Sequence, residues 1–211
     1  MKSACSPGGI YANSSKIHST MTLEIPTATP RVLLLPGWQN SGAAHWQSRW
    51  EALHAPHFYF QRVEQSDWMR PLRGDWMVQL EEAVLAAPGP VLLAAHSLGC
   101  MLTAAWAEHS QNTHRVVGAL LVAPGDPERD ELRAVLKSWS PIVRERLPFK
   151  SLLLGSENDP YCDFARAQDF AQSWGSQFVN YGARGHINAE SGLSDWPEGL
   201  EFLEQLQRTK G

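Results

Sequence analysis

Ser97 lies in a short motif, Ala95-His96-Ser97-Leu98-Gly99, between an apolar run and a stretch with helical character. The motif resembles the strand–turn–helix pattern G-x-S-x-G of nucleophilic serines, with alanine in place of the first glycine. Small residues are needed there because the tight turn brings strand and helix close together. The turn also leaves the Leu98 amide at a helix N-terminus, where it could stabilise an oxyanion. The alternative is a buried serine that only caps the helix.

A serine hydroxyl is a poor nucleophile at neutral pH, so the motif requires a general base later in the chain. His109 and His114 lie near the far end of the helix, roughly 18 Å from the serine at 1.5 Å per residue. His186 remains, directly after the last predicted strand. We expect its imidazole to hydrogen-bond Ser97 Oγ at about 3 Å. The alternative is an ordinary surface histidine near glycines.

An acid that orients the imidazole should follow an intermediate strand. Asp159 does so, and Pro160 restricts its backbone to extended conformations. The alternative role of Asp159 is turn formation. Asp126 also follows a predicted strand and is the second choice. Two further acids are weaker candidates: Glu157 and Asp163.

The first predicted strand ends in a loop that contains Pro36-Gly37-Trp38. In proteins that carry this strand–turn–helix serine motif, a second oxyanion donor comes from the loop after an earlier strand. We therefore predict that the Trp38 amide supplies it. The alternative is that Pro-Gly only turns the chain. The indoles of Trp38 and Trp68 are hypotheses for apolar substrate contact. Trp46 and Trp50, four residues apart, and Cys100 are expected to pack in the core.

From Arg31 onward, short apolar runs alternate with helical stretches, which predicts a single α/β domain over residues 31–211. Right-handed crossovers give a doubly wound, mostly parallel sheet with its site at the carboxyl ends of the strands. The predicted strands are Val32–Leu35, Phe58–Val63, Val91–Ala95, Val116–Val122, Ser151–Leu154 and Gln177–Asn180. The predicted helices are Ala43–Leu53, Leu72–Ala87, Leu98–His109, Asp130–Ser138, Phe164–Ser173 and Glu198–Gln207.

Composition excludes several other classes of function. The chain has 211 residues, with 18 basic and 22 acidic side chains and a formal net charge of −4, so it lacks the basic excess typical of nucleic-acid binding. Its apolar runs are far shorter than the roughly 20 residues of a membrane-spanning helix. There is no Gly-rich dinucleotide motif and no P-loop, so we expect no cofactor.

The three cysteines, Cys5, Cys100 and Cys162, are widely separated and include no CxxC pair. This pattern matches neither a disulfide framework nor a zinc site, and it predicts a reducing, cytoplasmic setting without a bound metal. Residues 1–30 are rich in small and polar residues and are expected to form a weakly ordered leader. Met21 as the natural start is the favoured interpretation of this segment, and a transit peptide is the alternative.

The ordered motifs together resemble the α/β hydrolases, and more narrowly the YdeN-type family of small serine hydrolases, across about residues 31–207. The resemblance rests on these segments: Leu35-Pro-Gly-Trp38, His45-Trp46, His96-Ser-Leu-Gly99, Val122-Ala-Pro124, Leu147-Pro-Phe149, Asn158-Asp-Pro-Tyr161, Gly185-His-Ile-Asn188, Ser191-Gly192 and Trp196-Pro-Glu-Gly199. It implies a catalytic triad of Ser97, Asp159 and His186, the residues already selected by position.

These residues predict acyl transfer from a small-molecule ester, that is, carboxylesterase activity through an acyl-enzyme on Ser97. The short interval from Asp126 to Leu147 predicts an open pocket without a large lid. Two alternatives stay open at this point. The same residues could hydrolyse an amide or peptide, or the chain could be a protein-interaction module on a hydrolase scaffold.

Overall fold

Six parallel strands form one sheet in a computed structural model that describes residues 31–53 and 58–208. In chain order the strands are β1 (Arg31–Leu35), β2 (Tyr59–Arg62), β3 (Val91–Ser97), β4 (Val116–Pro124), β5 (Ser151–Gly155) and β6 (Gln177–Asn180). Their order across the sheet is β2-β1-β3-β4-β5-β6. The prediction of a doubly wound, parallel α/β sheet is therefore confirmed.

Helices cover both faces of this sheet. They are α1 (Trp46–Ala52), α2 (Arg73–Ala86), α3 (Leu98–His109), α4 (Asp130–Arg133), α5 (Phe164–Trp174) and α6 (Pro197–Arg208). One hydrophobic cluster contains buried residues of α2, α3 and α5, and the other contains buried residues of α1 and α6. Each face of the sheet thus has its own apolar layer.

Strand β1 shows why the strands appear as continuous apolar runs in the sequence. Leu33 and Leu35 belong to the cluster on one face, whereas Val32 and Leu34 belong to the cluster on the other. All four side chains are fully buried. Successive residues of a strand point to opposite faces, so a sheet covered on both sides requires apolar side chains at every position.

The strand order reverses between β1 and β3. From β1 the chain first adds β2 on one side and then crosses over to build β3, β4, β5 and β6 on the other. Parallel sheets of this type bind ligands in the crevice at the carboxyl ends of the two strands where the order reverses. The loops after β1 and β3 are therefore expected to meet at the site.

The predicted helix Asp130–Ser138 is wrong as a single element. Helix α4 ends at Arg133, and a separate turn of 3-10 helix covers Lys137–Trp139. The intervening Leu136 leaves the helical region with φ −103° and ψ 36°. The Trp139 indole also donates to the Pro71 carbonyl at 3.0 Å, which holds the second turn against another loop.

Between β4 and β5 the described chain contains only these short helical turns, so there is no large lid. The predicted leader, residues 1–30, and the last residues of the predicted domain, 209–211, lie outside the described residues. Within residues 31–53 and 58–208, no helix is both long enough and apolar enough to span a bilayer.

Candidate active site

Ser97 occupies a strained turn between β3 and α3. Its backbone has φ 54° and ψ −118°, outside the regions that a residue with a side chain ordinarily adopts. The turn brings the start of α3 against β1. A Cβ atom on Gly99 would lie 2.2 Å from the Leu35 carbonyl oxygen, so only glycine fits there. The buried Ala95 occupies the position where the motif usually has glycine.

The Ser97 side chain lies between two further glycines. A Cβ atom on Gly37 would come within 2.7 Å of Ser97 Cβ, and one on Gly125 within 3.1 Å of Ser97 Oγ. Gly37 belongs to the Pro36-Gly37-Trp38 loop that the sequence places at this edge of the sheet. Gly125 was missed, although a glycine directly after the buried strand β4 was a visible signal. The absence of side chains at both positions leaves the hydroxyl accessible.

Asp159 and His186 form a buried pair. Both carboxylate oxygens lie 2.9 Å from His186 Nδ1, and the two side chains are 3% and 7% exposed. Asp159 Oδ1 also accepts the Tyr161 amide at 2.9 Å, which helps to fix the carboxylate. Since a carboxylate accepts hydrogen bonds, Nδ1 carries the proton and Nε2 is free to accept one. This is the tautomer that a general base for a serine requires.

Ser97 and His186 line the same pocket. In the part of the chain that the structure describes, no hydrogen bond joins Ser97 Oγ to the imidazole, so the expected bond is not formed here. Such bonds are often long or poorly aligned in unliganded hydrolases and tighten with substrate. The sequence-predicted serine, histidine and acid are therefore at one site, with the acid–histidine contact made.

Asp126, the second choice for the acid, has different partners. Its carboxylate binds Arg166 Nε at 3.0 Å and accepts the Glu128 amide at 3.0 Å. Asp126 lines the pocket, but its charge is used in an ion pair with arginine. Geometry thus favours Asp159 as the partner of His186.

The predicted oxyanion donors flank Ser97. Neither the Trp38 amide nor the Leu98 amide has a hydrogen-bond acceptor among the described residues. The neighbouring amides are occupied, since Gln39 donates to the Trp68 carbonyl and Asn40 to the Gly37 carbonyl, both at 3.1 Å. Two free N–H groups beside a serine hydroxyl are what an oxyanion hole requires.

Arg62, at the end of β2, holds the loop after β1. Its guanidinium donates to Asn40 Oδ1, to the Ser41 carbonyl at 3.1 Å and to Ser48 Oγ at 2.7 Å, and it pairs with Glu51 at 3.0 Å. The loop needs such support because Gln39 and Asn40 have positive φ, 68° and 66°. Sequence analysis missed Arg62, and a lone arginine at a strand end carries no signal of this role.

Two other histidines surround the site and are neutral. Burial lowers the pKa of His45 to about 3, with further lowering by His186 and Arg62. Burial also holds the pKa of His96 well below its usual value, followed by the effects of His45 and His186. His45 Nδ1 accepts the Gln47 amide at 3.2 Å and caps α1. Neither imidazole was identified from the sequence.

Cys100 follows the prediction of a buried core residue. Burial raises its pKa, and its thiol contacts the carbonyls of Ala95 and Val122. A neutral thiol in this position is not a nucleophile. Among the described residues, no group of histidine, cysteine and acidic side chains could hold a metal ion.

A pocket of about 360 Å³ opens above Ser97. Its wall is partly apolar, from Trp38, Leu132 and Leu136, and partly polar, from the loops after β1 and β6. Trp38 therefore lies on the wall of this pocket. Trp68 instead packs edge-on against Trp76, with ring centroids 5.3 Å apart, and does not line this pocket.

Comparison with known proteins decides the family. The model of a family described as serine hydrolase matches residues 32–205. The chain belongs to the serine hydrolase family. A search among curated proteins finds no match to this serine hydrolase.

Two solved structures of YdeN-like hydrolases are similar to this serine hydrolase. A YdeN-like hydrolase of Pectobacterium atrosepticum is 33% identical, with 84% of this chain and 90% of that chain covered and a TM-score of 0.71. The ydeN gene product of Bacillus subtilis is 18% identical, with 85% and 99% covered and a TM-score of 0.70. The resemblance to YdeN-type hydrolases is confirmed.

A more distant structure shares the fold alone. Carboxylesterase CesB of Bacillus subtilis is 15% identical, with 85% of this chain and 82% of that chain covered and a TM-score of 0.57. The α/β-hydrolase fold predicted for this serine hydrolase is thus confirmed.

Proposed function

We propose that this serine hydrolase cleaves small carboxylic esters through an acyl-enzyme on Ser97, with His186 as general base and Asp159 as the orienting acid. The observation that carries the proposal is the Asp159 carboxylate, which binds His186 Nδ1 through both oxygens beside the pocket that holds Ser97. This contact directs the basic Nε2 away from the acid and leaves it for the serine proton.

In the proposed reaction Ser97 Oγ attacks the ester carbonyl carbon while its proton moves to His186 Nε2. The carbonyl π electrons move to oxygen, and the Trp38 and Leu98 amides stabilise the oxyanion. When the oxyanion collapses, the bond from carbon to the alkoxy oxygen breaks and the alcohol leaves with the proton from Nε2. Water then attacks the acyl carbon and gives a proton to Nε2. When this second intermediate collapses, the bond from carbon to Ser97 Oγ breaks, Oγ takes the proton back from Nε2 and the carboxylic acid leaves.

Several features support a small ester as the substrate. The pocket, at about 360 Å³, is near the lower end of the range for small-molecule sites. No large lid covers it, and the structurally similar CesB is a carboxylesterase. The apolar wall of Trp38, Leu132 and Leu136 suits an alkyl or aryl group. An ester also needs less assistance to the leaving group than an amide does.

The test uses a fluorophosphonate probe and p-nitrophenyl acetate. We expect wild-type protein to be labelled at Ser97, as located by mass spectrometry of the labelled peptide. Ser97→Ala is expected to abolish labelling and to lower kcat by roughly six orders of magnitude. The matched control is Ser173→Ala, which removes a hydroxyl on α5 that does not line the pocket and should retain full activity.

Other outcomes would change the proposal. Labelling of Ser97 with turnover of a p-nitroanilide but not of the ester would replace the ester with an amide or peptide. Absence of both labelling and ester turnover in folded wild-type protein would overturn the enzymatic role and favour an interaction module. We further propose a cytoplasmic location, which the two free, buried cysteines Cys100 and Cys162 support.

A further inference from the structure

Two buried aromatic side chains donate hydrogen bonds to consecutive carbonyls of the loop that carries His186. His96 Nε2 lies 2.8 Å from the His186 carbonyl oxygen, and Trp46 Nε1 lies 3.0 Å from the Ile187 carbonyl oxygen. A carbonyl only accepts, so His96 carries its proton on Nε2. We propose that His96 and Trp46 are positioning residues that hold the general base of the reaction proposed above against the nucleophile.

This loop is tied to the segment after β5 by hydrogen bonds from the Arg184 amide to Ser156 Oγ at 2.9 Å and from the Gly185 amide to Asn158 Oδ1 at 2.7 Å, while His96 and Trp46 bind the two carbonyls that follow. It runs from the end of β6 at Asn180 to a turn of 3-10 helix, Ala189–Ser191, without regular structure. Gly185 and Ile187 have positive φ, 59° and 45°. A β-branched residue rarely adopts this conformation, which persists only where surrounding contacts enforce it. The N–H donors of His96 and Trp46 bind the peptide carbonyls directly before and after the Cα atom of the strained Ile187.

His96 links the base directly to the nucleophile. It precedes Ser97 in the chain, so the strained turn fixes its backbone, while its ring reaches the residue that carries the base. The rings of His96 and His186 also pack edge to face, with centroids 4.7 Å apart. His96 is only 5% exposed and is neutral, so it acts as a hydrogen-bond donor without adding charge. One side chain therefore relates the positions of Ser97 and His186.

Trp46 anchors the same loop from helix α1. Its indole is buried between those of Trp50 and Trp196, at centroid distances of 4.6 and 4.9 Å. Trp50, one helical turn later on α1, makes an equivalent bond from its indole to the Asp195 carbonyl at 2.8 Å. That carbonyl lies beyond the His186 loop. The two tryptophans thus differ in which segment their N–H groups hold.

The pair Trp46→Phe and Trp50→Phe tests the proposal. Each variant loses one indole N–H and leaves one carbonyl without its partner, so the two should lower the melting temperature to a similar extent. We expect Trp46→Phe to reduce kcat on p-nitrophenyl acetate at least about tenfold with KM changed less than about twofold. Trp50→Phe should keep kcat within about twofold. Equal kcat values in the two variants would overturn the role of Trp46.

A second pair addresses His96. Glutamine at this position retains an N–H donor at a similar distance from the backbone, whereas leucine has none. We expect His96→Leu to lower kcat at least about tenfold and His96→Gln to restore most of it. Equal losses in both variants, with folding confirmed by circular dichroism, would contradict the donor role.

A measurement without turnover separates this proposal from the proposed function on which it rests. The Nδ1 proton of His186, bound to Asp159, should give a downfield signal in proton NMR spectra. We expect this signal to shift or broaden in Trp46→Phe and His96→Leu and to be unchanged in Trp50→Phe. If wild-type protein does not hydrolyse esters but the variants still show these NMR changes, the positioning role is retained and only the esterase activity is rejected. An unchanged signal in all three variants would reject the positioning role.

Discussion

The loops after β4 and β5 each place an aspartate at the carboxyl edge of neighbouring strands, but the two carboxylates have different partners. Asp126 lines the pocket and binds the Arg166 guanidinium, whereas Asp159 binds the His186 imidazole. Asp126 lines the pocket, but Asp159 is the aspartate that can orient the His186 imidazole. Position at a strand end selects candidates, and the partner of each carboxylate distinguishes between them.

Asp159→Asn is expected to have the largest effect. The amide cannot accept from Nδ1 through two oxygens, and its NH₂ group favours the imidazole tautomer that has its proton on Nε2. Because Nε2 accepts the serine proton in the proposed reaction, we expect kcat on p-nitrophenyl acetate to fall by about three to four orders of magnitude. A loss of less than tenfold would show that Asp159 does not orient His186.

Asp126→Asn is the matched variant in the neighbouring loop. It removes one carboxylate from the ion pair with Arg166 and leaves the Asp159–His186 contact intact. We expect kcat to fall less than about tenfold and the free energy of unfolding to decrease by about 1 kcal/mol, as measured in urea. A loss of kcat as large as that of Asp159→Asn would transfer the role of the acid to Asp126.

Glu128→Gln should have the smallest effect at neutral pH and a clear one in acid. Burial raises the pKa of Glu128, but hydrogen bonds from the Ile142 amide and Arg166 outweigh burial and lower it below 4.5. A carboxyl group with a lowered pKa stabilises the folded state above its unfolded pKa, and this contribution is lost as pH falls through the folded pKa. Wild-type stability should therefore decrease below about pH 4.5.

We expect Glu128→Gln to flatten this decrease and to leave the pH profile of kcat unchanged. Urea unfolding at neutral pH and at several values below the unfolded pKa would measure the first effect, and steady-state kinetics the second. Identical acid dependence of stability in wild type and variant would contradict the assignment. A changed kinetic profile would mean that the ion pairs behind the pocket influence the base.

Local sequence patterns were sufficient for most of the sheet and for α3. Short segments that contain apolar residues predicted all six strands to within two residues at each end, and Leu98–His109 has the predicted bounds. The strand–turn–helix motif singled out Ser97 as the candidate nucleophile. Chain order, helix length and the positions of strand ends then limited the candidates for the base and the acid to a few residues. The segment after Asp130 failed because a loop contact, from Trp139 to Pro71, decides where its second turn lies.

The supporting contacts of the site could not be predicted because they join residues distant in the chain. His96 and the His186 carbonyl are 90 positions apart, and Trp46 and the Ile187 carbonyl are 141 apart. A backbone acceptor leaves no trace in side-chain identity. Arg62 likewise gives no local sign that its partners lie in two other segments.

The bonds that Arg62 makes have a consequence for the energy of the proposed reaction. They fix the turn next to Trp38 when the protein folds, before any substrate is bound. In water, solvent dipoles must rearrange as negative charge grows on a carbonyl oxygen, and this reorganisation contributes to the barrier. A preorganised amide avoids that step, so in the proposed reaction part of the barrier reduction would already be provided by the folding of the polypeptide chain.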